Sequence, residues 1–170
     1  MMQTSKNSSQ DVKRLAKIAG QQLVQPNGPS IAVFDIAGFD THADQGGDYG
    51  EHAKKLKQFD QIIGTLEDEL NTAFEDTIIV SLTEFGRTVD QNGGSGTEHG
   101  YGSAILMAGG LLPKSKIIGD WPGLEKKNLF EGRDLDSSID ARAVYASILA
   151  RVLGRDHKEI VKNAFFNANL

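Results

Sequence analysis

The chain has 170 residues, 39% of them hydrophobic and 24% charged, with a formal net charge of −5 and no cysteine. That length suits one domain able to bury about 70% of the surface its unfolded form would expose, and the composition excludes disordered and fibrous classes. The acidic balance leaves no basic footprint for nucleic acid, and without cysteine there are no disulfides, thiolate zinc sites or Cys nucleophiles, so any metal must be held by His, Asp, Glu or Asn.

The first expected element is a helix over about 9–24, where Val12, Leu15, Ala16, Ala19 and Leu23 recur at helical spacing after Ser8 and Ser9, before Pro26, Gly28 and Pro29 end it. The N-terminal stretch lacks the apolar core of a signal peptide, and no run approaches the roughly 20 apolar residues of a membrane span. "SIAVFDI" (30–36) is apolar without alternation, as in a strand covered on both faces, and leads into the Gly- and Asp-rich loop "AGFDTHADQGGDYG". From Glu51 to Glu75 a stripe through Ala53, Leu56, Phe59, Ile63, Leu66, Leu70 and Phe74 marks a long amphipathic helix. "DTIIVSL" (76–82) and "SAILMAG" (103–109) read as further buried strands, with a short strand expected at 116–118. Ser capping signals and Gly154 bracket a helix over 137–154, and Asp156 opens a last one to about Phe166. This order of helices and non-alternating strands indicates an α/β layer with a mostly parallel sheet in one domain spanning 1–170.

In such sheets ligands collect beyond the carboxyl ends of the strands. Asp35, then Asp40-Thr41-His42, follow the first strand; Thr83-Glu84 follow the second; Glu98-His99 precede the third. On an extended backbone, Asp40 and His42 would project to one side, where they could chelate one ion; otherwise Asp40 caps a turn and His42 is a solvated loop residue. Glu84, expected to be partly buried after an apolar strand, needs a metal or an ion pair with Arg87, because burying an unpaired charge costs several kcal/mol. Glu98-His99 has a capping or surface role as its alternative. The glycines at 86, 93, 94, 96, 100 and 102 lack the Lys-Ser/Thr of a phosphate-binding loop, and "GGSGT" lacks the last Gly of a nucleophile elbow, so they are read as turns with positive φ. His52 and His157, at helix starts among charged residues, are expected to be solvated.

The motifs "DIAGFDTHADQ", "TIIVSLTEFGRTVDQNGGSGTEHGYGSAILMAGG", "IIGDWPGL" and "DARAVYASIL", in that order over about residues 30–155, resemble the C-terminal half of the bacterial domain-of-unknown-function family 1501. That resemblance implies proteins exported by the twin-arginine route, hence a periplasmic or exported location, and membership of the alkaline phosphatase-like superfamily. It implies a three-layer α/β/α sandwich with a mostly parallel central sheet, and two divalent ions, zinc or manganese, holding a phosphate or sulfate ester while a Ser, Thr or Asp attacks. By the order of motifs, Asp40 and His42 stand for the first ligand set, Glu84 for the strand-end carboxylate and His99 for the lone histidine. Arg87, Ser95 and Thr97, in the same stretch, are the expected substrate-binding residues, and no catalytic nucleophile is assigned. Two departures stand out: Phe85 occupies the place of a ligating His, and Asp40-x-His42 is tighter than the enzymes' Asp-x-x-x-His. The superfamily's nucleophile lies in its N-terminal half, which this chain is expected to lack.

Two function classes follow from these residues. One is a metal-dependent phosphate or sulfate ester hydrolase, active when complete; the other is a non-catalytic remnant or a binding or structural module of an exported protein. An incomplete sheet would leave an edge or face uncovered, so self-association, or a partner supplying the missing half, is expected.

Overall fold

A computed structural model of the chain describes residues 9–165. They form two compact units: one comprises the chain through Phe74 together with Asp90–Glu98, and the other Glu75–Val89 with the chain from His99 onward.

In the first unit, α1 (Ser9–Leu23) packs on α2 (Glu51–Leu70). Val12 and Ala16 of α1 are buried, as are Ile62, Leu66 and Leu70 of α2. The expected stripes mark these faces only in part: Leu66 and Leu70 are buried with Gln58, Ile62 and Thr65, whereas Leu15 and Leu56 of the stripes are exposed. The helices approach closely at Gly20, where a Cβ would stand 2.6 Å from the Cβ of Glu69. Around that crossing the Gln21 amide donates to Glu69 Oε2 at 2.9 Å, and Lys17 reaches its other oxygen at 3.6 Å. The helix expected to run to residue 75 ends at Leu70, where Asn71 takes a positive φ of 50° and a 3-10 turn, Asn71–Asp76, follows.

The second unit carries four strands of two residues each: β1 (Ile79–Val80), β2 (Gly86–Arg87), β3 (His99–Gly100) and β4 (Met107–Ala108). β1 pairs antiparallel with β4, Ile79 opposite Ala108 and Val80 opposite Met107, and β2 pairs antiparallel with β3, Gly86 opposite Gly100 and Arg87 opposite His99. α3 (Ala141–Leu153) and α4 (His157–Ala164) pack together. Asp140 rather than a serine caps α3, accepting from the Arg142 N–H at 2.9 Å, while the Ser137 hydroxyl donates to the Ile139 carbonyl. Gly154, at φ 61°, closes the helix in the left-handed conformation its sequence position announced. Asp156 caps α4 through the N–H groups of Lys158 and Glu159; Phe166, the expected end of this helix, lies outside the described residues.

This architecture overturns the expected fold. Among the described residues there is no extended parallel sheet, so the chain is not a three-layer α/β/α sandwich of the alkaline phosphatase type. Residues 30–36 and 116–118 join no ladder, and the runs 76–82 and 103–109 each contribute a two-residue strand. The reason is physical: an apolar run states only that a segment favours burial, whereas a parallel strand also needs hydrogen-bonding neighbours along its length. Here that burial is not achieved, since Ile31, Val33, Leu82 and Leu106 are all more than half exposed.

Candidate metal-binding loops

In the first unit the loop 36–48 runs alongside the segment 90–98. The Asp44 N–H donates to the Gly94 carbonyl at 3.0 Å, Gln45 N–H to Ser95 at 2.9 Å, and Thr97 N–H to Thr41 at 3.1 Å, with a bridge between Ala43 and Ser95. Asn92 ties the two together. Its amide donates to the His42 carbonyl at 2.9 Å and to Glu98 Oε1, while its Oδ1 accepts from the N–H groups of Gly94 and Gly96 at 2.9 and 3.0 Å. A Cβ on Gly96 would stand 2.3 Å from the carbonyl carbon of His42, so only glycine lets the strands of backbone come this close. The six glycines from Gly86 to Gly102 had been expected at positive φ. None of them adopts it, and Ser95 does instead, at φ 61°.

These loops present His42 between two carboxylates. Its Nε2 lies 3.0 Å from Asp40 Oδ1 and its Nδ1 2.9 Å from Glu98 Oε2, and all three side chains are about half exposed. A neutral imidazole carries one N–H and can donate to only one of two acceptors. A proton or a divalent cation at the other contact resolves the arrangement. If Nδ1–H is held by Glu98, Nε2 is left with its lone pair directed toward Asp40, which is the orientation that carboxylates impose on metal-ligating histidines. Asp40 and His42 thus hold one carboxylate oxygen and one imidazole nitrogen close enough together to suit a common ion. Exposed ion pairs of this kind add about 0–1 kcal/mol to stability, so the cluster is not explained as a structural staple.

The remaining sequence candidates divide. Thr97 is buried, and its hydroxyl donates to Gln45 Oε1 at 2.9 Å; Thr41 donates to the same oxygen at 2.8 Å, so both hydroxyls serve the loop framework. Ser95 is exposed at its left-handed turn. Glu84 and Arg87 belong to the second unit, as does His99. Glu84 is exposed, not partly buried, because the strand before it ends at Val80, and this removes the burial argument for a compensating metal. Phe85, which cannot ligate, stacks on the His99 ring with centroids 3.7 Å apart and planes within 14°. His52 corrects the expectation of solvation: its ring meets Phe39 edge-on at 5.8 Å, and its Nδ1 is buried without a hydrogen-bond partner.

Sequence reasoning passed over Asn92 and Gln45. Asn92 had a signal, since an Asn opening "NGGSG" suits a side chain that bonds backbone N–H groups two and four residues on. Gln45 had none; two hydroxyls from separate segments converge on it only in three dimensions.

The sequence model of the family described as "Protein of unknown function (DUF1501)" matches residues 2–165, and the chain belongs to that family. No curated protein and no solved structure matches it. No helix among the described residues is long and apolar enough to cross a membrane.

Proposed function

We propose that this chain is a divalent-cation-binding module of its family, with Asp40 and His42 as ligands and Glu98 fixing the ring of His42. The observation that carries this reading is the double carboxylate contact of His42, 3.0 Å at Nε2 and 2.9 Å at Nδ1, in loops cross-braced by Asn92. Imidazole with carboxylate suits zinc or manganese. Glu84 and His99 are further ligands implied by the sequence resemblance, and their substitution tests their share. Binding is favoured over independent ester hydrolysis because the hydroxyls of Thr41 and Thr97, the nearest in sequence to Asp40, His42 and Glu98, are both bonded to Gln45.

The test is thermal melting of metal-stripped protein against increasing zinc or manganese. A specific site stabilises by about 2.7 kcal/mol at a hundredfold excess over Kd, and the rise in melting temperature should vanish in His42→Ala. A metal response equal in wild type and His42→Ala would defeat the proposal. Aryl phosphate and aryl sulfate should be turned over no faster than in the blank; turnover abolished by His42→Ala would establish the hydrolase reading in its place.

A further inference from the structure

The second unit contains a recess of about 180 Å³ between the segments 83–85 and 101–105, which flank the β2–β3 pair, and the start of α3. Three aromatic residues, Phe85, Tyr101 and Tyr145, line it together with Glu84. The Thr83 hydroxyl donates to Ser103 Oγ at 2.9 Å on its wall, leaving the Ser103 proton for a further acceptor. The recess continues into a wider, open groove of about 450 Å³ along residues 137–141, and Tyr101 and Ser137 line both. Tyr101 is well placed as a platform: one face stacks on Phe130, with centroids 4.3 Å apart and planes within 20°, yet 56% of the residue is exposed.

The charge pattern defines what fits. None of the residues lining the recess or the groove is cationic. The nearest arginine in sequence, Arg142, holds its guanidinium against the Asp140 carboxylate at 2.6 to 3.1 Å, and the same carboxylate takes the Arg142 N–H at the start of α3. The positive end of that helix is therefore already neutralised, and an anionic ester would meet Glu84 without a counter-charge. A flat, exposed aromatic face beside hydroxyls, the Glu84 carboxylate and an Asp140 carboxylate already held by Arg142 suits a molecule with an apolar C–H face and a rim of hydroxyls.

We propose that this cleft binds a neutral carbohydrate, one sugar ring lying on Tyr101 and its hydroxyls bonding to Glu84 and Ser103. The recess holds one ring, and the groove beyond Tyr101 accommodates the next, so an oligosaccharide should bind better than a monosaccharide. The cleft lies wholly in the second unit and shares only Glu84 with the residues named as candidate metal ligands, so its test is run without metal.

The experiment is saturation-transfer NMR on the full chain in chelator, with glucose, cellobiose, maltose and N,N′-diacetylchitobiose as probes, followed by titration of the best. At least one neutral disaccharide should receive saturation on its ring protons and bind more tightly than glucose. Tyr101→Ala should weaken it about tenfold, the loss expected for one aromatic contact, while Tyr101→Trp restores it. Glu84→Gln should weaken it less, since an amide still bonds a hydroxyl. An absence of transfer to every sugar at millimolar concentration would overturn the proposal. So would equal binding by Tyr101→Ala with an unchanged circular dichroism spectrum, or binding confined to sulfated or phosphorylated sugars.

Discussion

Replacing Asn92 with alanine removes the brace between the two loops that carry Asp40, His42 and Glu98. Four hydrogen bonds go at once: two accepted by Oδ1 from Gly94 and Gly96, and two donated to His42 O and Glu98 Oε1. Each is worth about 0.5–1.5 kcal/mol net, and the site is exposed enough for water to take over part of the bonding, so the low end applies. The expected loss is about 2 kcal/mol of unfolding free energy. Urea unfolding followed by circular dichroism measures it, with Gly93→Ala as the companion: nothing lies within 4 Å of a Cβ there and its φ is not left-handed, so it should change stability by less than about 0.5 kcal/mol. Freed from Glu98, His42 should also respond less to metal. If Asn92→Ala matches wild type in both stability and metal response, Asn92 does not organise these loops and the argument from its hydrogen bonds is wrong.

Gly86→Ala should be poorly tolerated, because its Cβ would sit 1.8 Å from the Gly102 carbonyl oxygen in the β2–β3 pair; a loss of about 1–3 kcal/mol in urea unfolding is expected, and a neutral effect would contradict the close approach. Asp140→Ala should cost about 1 kcal/mol at neutral pH through loss of the α3 cap. The Arg142 side chain, and then its backbone N–H, hold the Asp140 carboxyl below the ordinary carboxylate range. Because the folded pKa is lowered, this stabilisation is full above the unfolded pKa of about 3.9 and fades as pH falls through the folded value. Wild type and Asp140→Ala should therefore converge in melting temperature in strong acid, and a gap that persists there would refute the assignment.

By itself the sequence determined what depends on neighbours along the chain. The helices α1 and α2 follow from apolar spacing at three and four residues, and α3 and α4 from local end signals, as at Gly154 and Asp156. Asp40 and His42 were legible as near neighbours two residues apart, but they meet through a turn, with the Thr41 N–H donating to the Phe39 carbonyl and a bend at His42, and not on the extended backbone the spacing assumed. Family membership was legible too, because it rests on ordered motifs.

Only the tertiary structure decided the rest. Whether "SIAVFDI" or "DTIIVSL" becomes a sheet strand depends on a hydrogen-bonding partner distant in sequence, and apolar composition carries no information about that partner; residues 30–36 find none among the described residues and 76–82 find one over two residues. The same holds at the site. Glu98 lies 56 positions from His42, Thr97 lies 52 from Gln45, and Asn92 lies 50 from His42. Those bonds close long loops whose entropic cost rises only slowly with length, so chain separation neither forbids nor foretells them. The backbone's packing brought them together, and with them the Glu98 carboxylate that holds Nδ1 of His42 beside Asp40.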